Sequence, residues 1–343
     1  MNLLGRHTSS ALFLLLIAPA FQAQTLPAAT SMAGMPPVPT SLEDRRKGLV
    51  QVTHDYWEDL LKHAPELASA LGDSRYNDQL TNYTSSAFND AIAREQSYLM
   101  QLAVIDLAGF TEQEKQQQNA LEQRFEDDQK AADTKPWEMP INASASFYTV
   151  YPQLAQVLPF TTVKDYDDWT SRLHALPESF AQAMQDLSLG MGENRVPPKE
   201  VVSKALSEVT ALGHQKAEDS PLAAPLRKFP SSISAAEQER IRTEMLDAIT
   251  NDAQSAYLRL ERFLRVSYLP AAANAPTGSP STPAGTHDAH LLAAVLNLRA
   301  KAEQAMGPKF DVKAFREEVM KSGLLPLDQM QEQVEAWIAT SAK

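Results

Sequence analysis

The sequence predicts an all-α fold, a bundle-like array of helices in which a Pro/Gly/Ser linker precedes three C-terminal helices. Three observations carry that expectation. Apolar residues recur with a period near 3.6 over most of the chain. Few stretches alternate with the period of two that a half-buried strand needs. Hydroxyl-plus-acid pairs and prolines fall at the starts of the periodic segments, where a first helical turn uses or tolerates them. A chain of 343 residues can bury a sizeable core, and 43% hydrophobic with 22% charged residues is the composition of a globular protein.

Arg6 and His7 precede an apolar run over residues 11–18, with small residues at Ala18, Ala20 and Ala23 ahead of polar Gln24. Residues 1–23 therefore read as a secretory signal peptide, cleaved after Ala20 or Ala23. The competing reading, a buried N-terminal helix, fits the basic start and the polar stop less well. The run is shorter than the about 18 apolar residues of a membrane span, and no later segment reaches that length. An exported chain without a membrane span, periplasmic or secreted, is expected. Residues 24–40 hold Pro27, Pro36, Pro37 and Pro39 among Ala, Ser and Thr and read as a disordered tether.

The helical N-terminal body is expected over 41–269. Ser41 with Asp44 caps a helix whose Leu49, Val52, Tyr56 and Leu60 share a face. Residues 65–71 form a short helical turn stopped by Gly72. A helix over 85–107 turns Phe88, Ile92, Leu99 and Leu102 inward, and Thr111 with Glu114 makes a capping box for a polar helix ending at Ala132. Residues 137–162, rich in proline and aromatics, are mostly loop with one turn near 151–157. Helices follow over 163–175, 177–189 and 198–212. Ser234 and Glu237 open the longest helix, which carries Ile241, Met245, Ile249, Ala253, Ala256, Leu260 and Phe263 in register to Tyr268 and stops at Pro270.

From 270 to 286 the chain holds Pro270, Pro276, Pro280, Pro283, Gly278 and Gly285 and no apolar side chain larger than alanine, the composition of a flexible linker. Helices near 290–306, 312–321 and 327–339 complete the segment 287–343, with Phe310, Phe315, Val319, Val334 and Trp337 available for packing. So short a set of amphipathic helices cannot hide its own apolar faces, and docking on the body is expected.

The composition narrows the chemistry. A net charge of −12, from 31 Lys+Arg against 43 Asp+Glu, repels nucleic acid and anionic lipid, so neither is an expected partner. The absence of cysteine excludes disulfides, thiolate ligands, cysteine nucleophiles and lipid attachment through an N-terminal cysteine. No G-x-S-x-G elbow and no P-loop occur, and Gly190-Met191-Gly192 lacks the third glycine and preceding strand of a dinucleotide fingerprint. None of the histidines His7, His54, His63, His174, His214, His287 and His290 begins an H-E-x-x-H zinc motif.

The nearest approach to a metal pair is His287-Asp288-Ala289-His290, whose spacing lets both rings face one ion if a helix begins there. A catalytic zinc takes three protein ligands, and no third is evident. The other reading is an exposed polar helix start beside the linker. No catalytic or cofactor-binding residue is assigned, and zinc enters only through His287 and His290. His54, beside Asp55, and His174 read as surface or hydrogen-bonded imidazoles. Glu126, Asp127 and Asp128, and Asp165, Asp167 and Asp168, read as solvated faces or helix-start acids rather than acid–base pairs. Phe147, Tyr148 and Tyr151 read as loop packing rather than a ligand shelf, and Tyr257, Phe263 and Tyr268 as core.

Several runs go beyond pattern. Ala64-Pro-Glu-Leu-Ala-Ser-Ala-Leu-Gly-Asp-Ser-Arg-Tyr-Asn-Asp78, Trp137-Glu-Met-Pro140, Leu158-Pro-Phe160, Tyr166-Asp-Asp-Trp169 and Phe229-Pro-Ser-Ser-Ile233 together resemble the bacterial DUF885 family. Leu298-Arg299, Lys309-Phe310-Asp311, Ala314-Phe315, Leu325-Pro326-Leu327 and Val334-Glu-Ala-Trp337 resemble the C-terminal end of the same family. These stretches cover most of the mature chain. The family is similar to helical zinc carboxypeptidases, whose resemblance implies a His-Glu-Ala-x-Pro-Gly-His-His helix and a further glutamate ligand.

That segment is absent. The chain runs from Tyr268-Leu-Pro270 through the linker into the terminal helices, and where relatives carry Tyr and Gly it reads Asp288 and Leu291. It resembles a truncated member of the family, without the Lewis acid and general base that make water a nucleophile. The expectation is an exported, non-catalytic scaffold that binds a peptide or partner protein if it acts at all. The alternative is a zinc-dependent peptidase working through His287 and His290 or completed by a partner chain. A decaying remnant is a third reading, against which the clean linker composition and the resumed helical register speak.

Overall fold

The computed structural model describes residues 41–143, 145–274, 286–322 and 325–342. The expected signal peptide and tether, and the stretch 275–285 of the expected linker, lie outside the described residues. Helix accounts for every regular element, and there is no strand among the described residues.

Helix α1 (Leu42–His63) starts where Ser41 Oγ accepts from the Asp44 N–H at 3.0 Å, and it buries Leu49, Val52, Tyr56, Trp57, Leu60 and Leu61. The short α2 (Pro65–Ala70) is buried along its whole length and stops at Gly72, whose φ of +76° suits a residue without Cβ. Helix α3 (Ser85–Ala103) ends earlier than residue 107, in a tight turn where the Ile105 N–H donates to Leu102 O. Of its expected inward residues only Leu102 is fully buried; Phe88, Ile92 and Leu99 are half-buried. Both reciprocal bonds of the Thr111/Glu114 box open α4 (Glu112–Ala132). Helix α5 (Val150–Val157) is the one turn expected in the aromatic stretch.

Two prolines act differently from the sequence expectation. Helices expected over 163–175 and 177–189 are one 30-residue helix, α6 (Val163–Gly192), with Pro177 inside it. Leu173, Leu176, Phe180 and Ala183 are fully buried on both sides of the proline, and that continuous apolar face outweighs the backbone bond Pro177 cannot make. After α7 (Lys199–His214), the chain forms α8 (Ala235–Ala248), α9 (Gln254–Phe263) and α10 (Leu269–Asn274), joined without a break by π-turns at Ile249–Ala253 and Leu264–Tyr268. Pro270 therefore does not end the helix. It follows a π-turn, where the hydrogen-bond register already shifts and a missing N–H costs least. The linker expected over 270–286 is accordingly helical as far as Asn274, and its last residue, Thr286, is the N-cap of the next helix.

The C-terminal helices are α11 (His287–Met306), α12 (Val312–Ser322) and α13 (Leu327–Ser341). Helix α6 packs against α8, the first π-turn and α9, α7 lies along α9, α3 along α4, and α11 rests on α2, α5 and α13. At the centre, Phe180 stands edge-on to both Phe147 and Tyr257, each at 5.0 Å between ring centres, and the Tyr257 hydroxyl donates to Tyr148 O at 2.8 Å.

Candidate functional site

The first turns of α11 separate two unlike environments. On one side, against α3 and α4, lies a partly buried charge cluster centred on Arg124. Its guanidinium reaches Asp288 Oδ1 at 2.8 Å, Asp128 Oδ2 at 3.5 Å and Glu95 Oε1 at 3.7 Å, and it lies over the Tyr56 and Phe125 rings at 4.9 and 5.8 Å. Burial, reinforced by the charges of Asp128 and Asp288, pushes the Glu95 carboxyl up to about 9, so it holds its proton at neutral pH. Burial raises Asp128 to about 6 against the pull of Arg124. Burial, followed by the charge of Arg124 and then that of His290, holds His287 well below the usual imidazole range. His287 Nε2 and Glu95 Oε2 are buried without a hydrogen-bond partner.

His287 and His290 thus share the first turn of α11, but His287 is desolvated beside the fixed positive charge of Arg124. Among the described residues no three His, Asp or Glu side chains converge in a way that would hold a metal ion. A dication beside His287 would face the Arg124 guanidinium. Asp128, expected on a solvated face, instead has a side chain only 20% exposed, because α11 covers that side of α4. Its neighbours Glu126 and Asp127 do face water and pair loosely with Lys130 at 3.5 Å. Asp165 accepts from the N–H groups of Thr161 and Thr162, Asp167 pairs with Arg240 at 3.0 Å, and Asp168, mostly buried, pairs with Lys164 at 2.6 Å. His174 meets Asp252 at 2.7 Å and His214 meets Glu261 at 2.8 Å, as surface imidazoles.

On the other side of α11 is a cavity of about 80 Å³. Ala289, Leu292, Ala293 and Leu296 form its α11 wall, facing Phe88 of α3 and the aromatic loop that carries Trp137 and Phe147. Phe88 and Trp137 stack at 5.5 Å with 14° between ring planes, and Tyr83 leans on Phe147 at 6.0 Å. The Trp137 indole N–H is buried and has no acceptor. Among the described residues, Gln153 and Asn297 are the exposed ones of the lining, and no charged residue lines the cavity.

Local structure holds these walls. The Asn142 carboxamide accepts from the Ala145 N–H at 2.7 Å, closing the loop ahead of Phe147, and the Tyr148 hydroxyl donates to Glu208 at 2.7 Å. On the other flank Lys135 takes the left-handed conformation, and Glu138 pairs with Arg195 just beyond α6. Gly190 lets the loop approach α6, since a Cβ there would sit 2.6 Å from Glu138 O. The N–H of Tyr83 donates to Gln182 Oε1 at 3.0 Å. Phe147, Tyr148 and Tyr151 are packing residues as expected, each at most 5% exposed, and Phe147 also faces the cavity. Trp137 opens one of the runs that resemble the DUF885 family, whereas Phe88, Gln153 and Asn297 carry no motif. The other signal in the sequence is the concentration of aromatics and prolines after residue 136.

The model of a family described as bacterial protein of unknown function, DUF885, matches residues 65–286. A solved structure, "the putative lipoprotein from Colwellia psychrerythraea", superimposes with a TM-score of 0.60 at 15% identity, over 85% of this chain and 54% of that one. At that identity the likeness is one of fold, and the chain spans about half the length of that solved structure. No curated protein matches the sequence.

Proposed function

The chain belongs to the DUF885 family of bacterial proteins, and from that premise we propose that it is an exported, non-catalytic member that binds a peptide or a segment of a partner protein at the cavity beside α11. The observation that carries the reading is the cavity itself: an uncharged, aromatic-walled recess with amide side chains at its mouth, formed where the chain enters its C-terminal helices. The N-terminal sequence supports export. The missing His-Glu-Ala-x-Pro-Gly-His-His run supports a chain without the metallopeptidase machinery.

The competing reading, zinc-dependent hydrolysis through His287 and His290 or completion by a partner chain, draws on the unpartnered His287 Nε2. Arg124 opposes it, since its charge already disfavours a second cation at that imidazole.

The test uses the mature exported chain, dialysed against a weak chelator. Elemental mass spectrometry should find zinc far below one per chain, and added peptide should slow hydrogen exchange in α11 and in residues 137–153. Near-stoichiometric zinc together with chelator-sensitive peptide cleavage would overturn the proposal.

A further inference from the structure

Resting on the peptide-binding reading, we infer that the cavity is a specificity pocket for one uncharged aromatic side chain of an extended peptide, with Gln153 and Asn297 receiving the peptide backbone at its mouth. The volume of about 80 Å³ suits one planar ring and is too small for a folded segment of chain. The stacked pair Phe88 and Trp137, together with Phe147 in the same lining, offers aromatic surface, so an entering ring joins an aromatic cluster. The α11 wall opposite is set by Ala289 and Ala293, whose small side chains leave the space open.

Charge discriminates next. With no ionised group in the lining, a lysine, arginine, aspartate or glutamate side chain entering the cavity would lose its hydration without gaining a partner. The mouth is different in kind. Gln153 and Asn297 are exposed, and the side chain of each presents a donor and an acceptor, as a peptide backbone does. They can pair with the amides flanking the inserted residue, much as a neighbouring strand would.

The test is calorimetric titration of the mature chain with blocked pentapeptides of alanine whose central residue is phenylalanine, alanine or lysine, alongside toluene as a free ring. The phenylalanine peptide should bind at least about tenfold more tightly than the other two. Ala293→Phe, which fills the cavity, should abolish that preference. Asn297→Ala, an exposed change that leaves the core untouched, should weaken the phenylalanine peptide several-fold without shifting the melting temperature. Equal binding of all three peptides would overturn the aromatic specificity while leaving a peptide-binding protein. Binding of toluene without any peptide would overturn the backbone role of Gln153 and Asn297. Binding of none of the probes would overturn both this inference and the reading beneath it.

Discussion

The guanidinium of Arg299 in α11 donates to the backbone carbonyl of Ala70 in α2 at 2.8 Å, joining residues 229 positions apart. The same group donates to Ser69 O at 3.2 Å and to Val157 O, and pairs with Glu303 at 2.9 Å. The last carbonyls of a helix have no partners within it and carry the negative end of its dipole, so a buried cation is well placed there. Arg172 of α6 serves α2 from another side, donating to Pro65 O at 3.0 Å and to Ser69 Oγ at 2.8 Å. Helix α2 is thus held by guanidinium groups from the body and from the C-terminal helices.

Replacing Arg299 by leucine should therefore cost more than an average core change. It strips hydrogen bonds from buried carbonyls of α2 and α5 and leaves those of Ala70 and Val157 without their donor, a loss of about 3–5 kcal/mol. Urea denaturation should show a lower midpoint for Arg299→Leu with an unchanged slope.

Glu95 and Asp128 predict a loss of stability toward alkaline pH. Glu95 and Asp128 keep protons in the folded chain at pH values where the unfolded chain has released them, because their carboxyls are raised to about 9 and about 6. Through these two groups the folded state binds more protons, so the stability they contribute falls as pH rises from about 4 through about 9, while His287, held low, opposes that trend below 6.5. Glu95→Gln removes the larger part of that loss and should stabilise the protein at pH 8 by on the order of 2 kcal/mol, with little gain at pH 4.5. Melting temperatures of both proteins across this range check the sign.

Arg124→Met should have the opposite effect. The substitution preserves much of the side-chain volume over Tyr56 but leaves the carboxylates of Asp128 and Asp288 without their cation. A destabilisation of about 3 kcal/mol is expected at neutral pH, shrinking in acid as Asp128 takes up its proton. Hydrogen exchange should accelerate first in residues 286–292, the turn of α11 that Asp288 anchors.

Gly72→Ala tests the contact between α2 and α12. At φ +76° an alanine is strained, and its Cβ would stand 2.5 Å from Val312 Cγ2. Strain and overlap together should cost about 2–4 kcal/mol, read by thermal unfolding. Val312→Ala in the same chain should recover part of the loss, since it removes the methyl groups that collide.

Local chemistry was legible wherever a short stretch decided the outcome. Ser41 and Thr111 cap helices because their hydroxyls reach a backbone N–H three residues on, a geometry independent of the rest of the fold. Pro177 and Pro270 were misread for the complementary reason. Each is a local helix breaker whose effect was overridden, one by the buried face of α6 and the other by a π-turn. The candidate site was legible only in part. His287 and His290 stood out by spacing, whereas Asp128 read as a solvated-face acid and no pattern marked Glu95 or Arg124, which α11 brings into one cluster.

Periodicity, capping and composition determined by themselves that this chain is helical, where most helices begin, and that its first residues resemble an export signal. Tertiary structure alone decided that Asp128 and Glu95 are desolvated, that Arg299 clasps α2, and that Phe88, Trp137 and Phe147 enclose a cavity with α11. The division follows from range. A hydrogen bond within one turn is specified by neighbours in sequence, while burial, and with it pKa and cavity shape, is set by which distant helices lie across from one another.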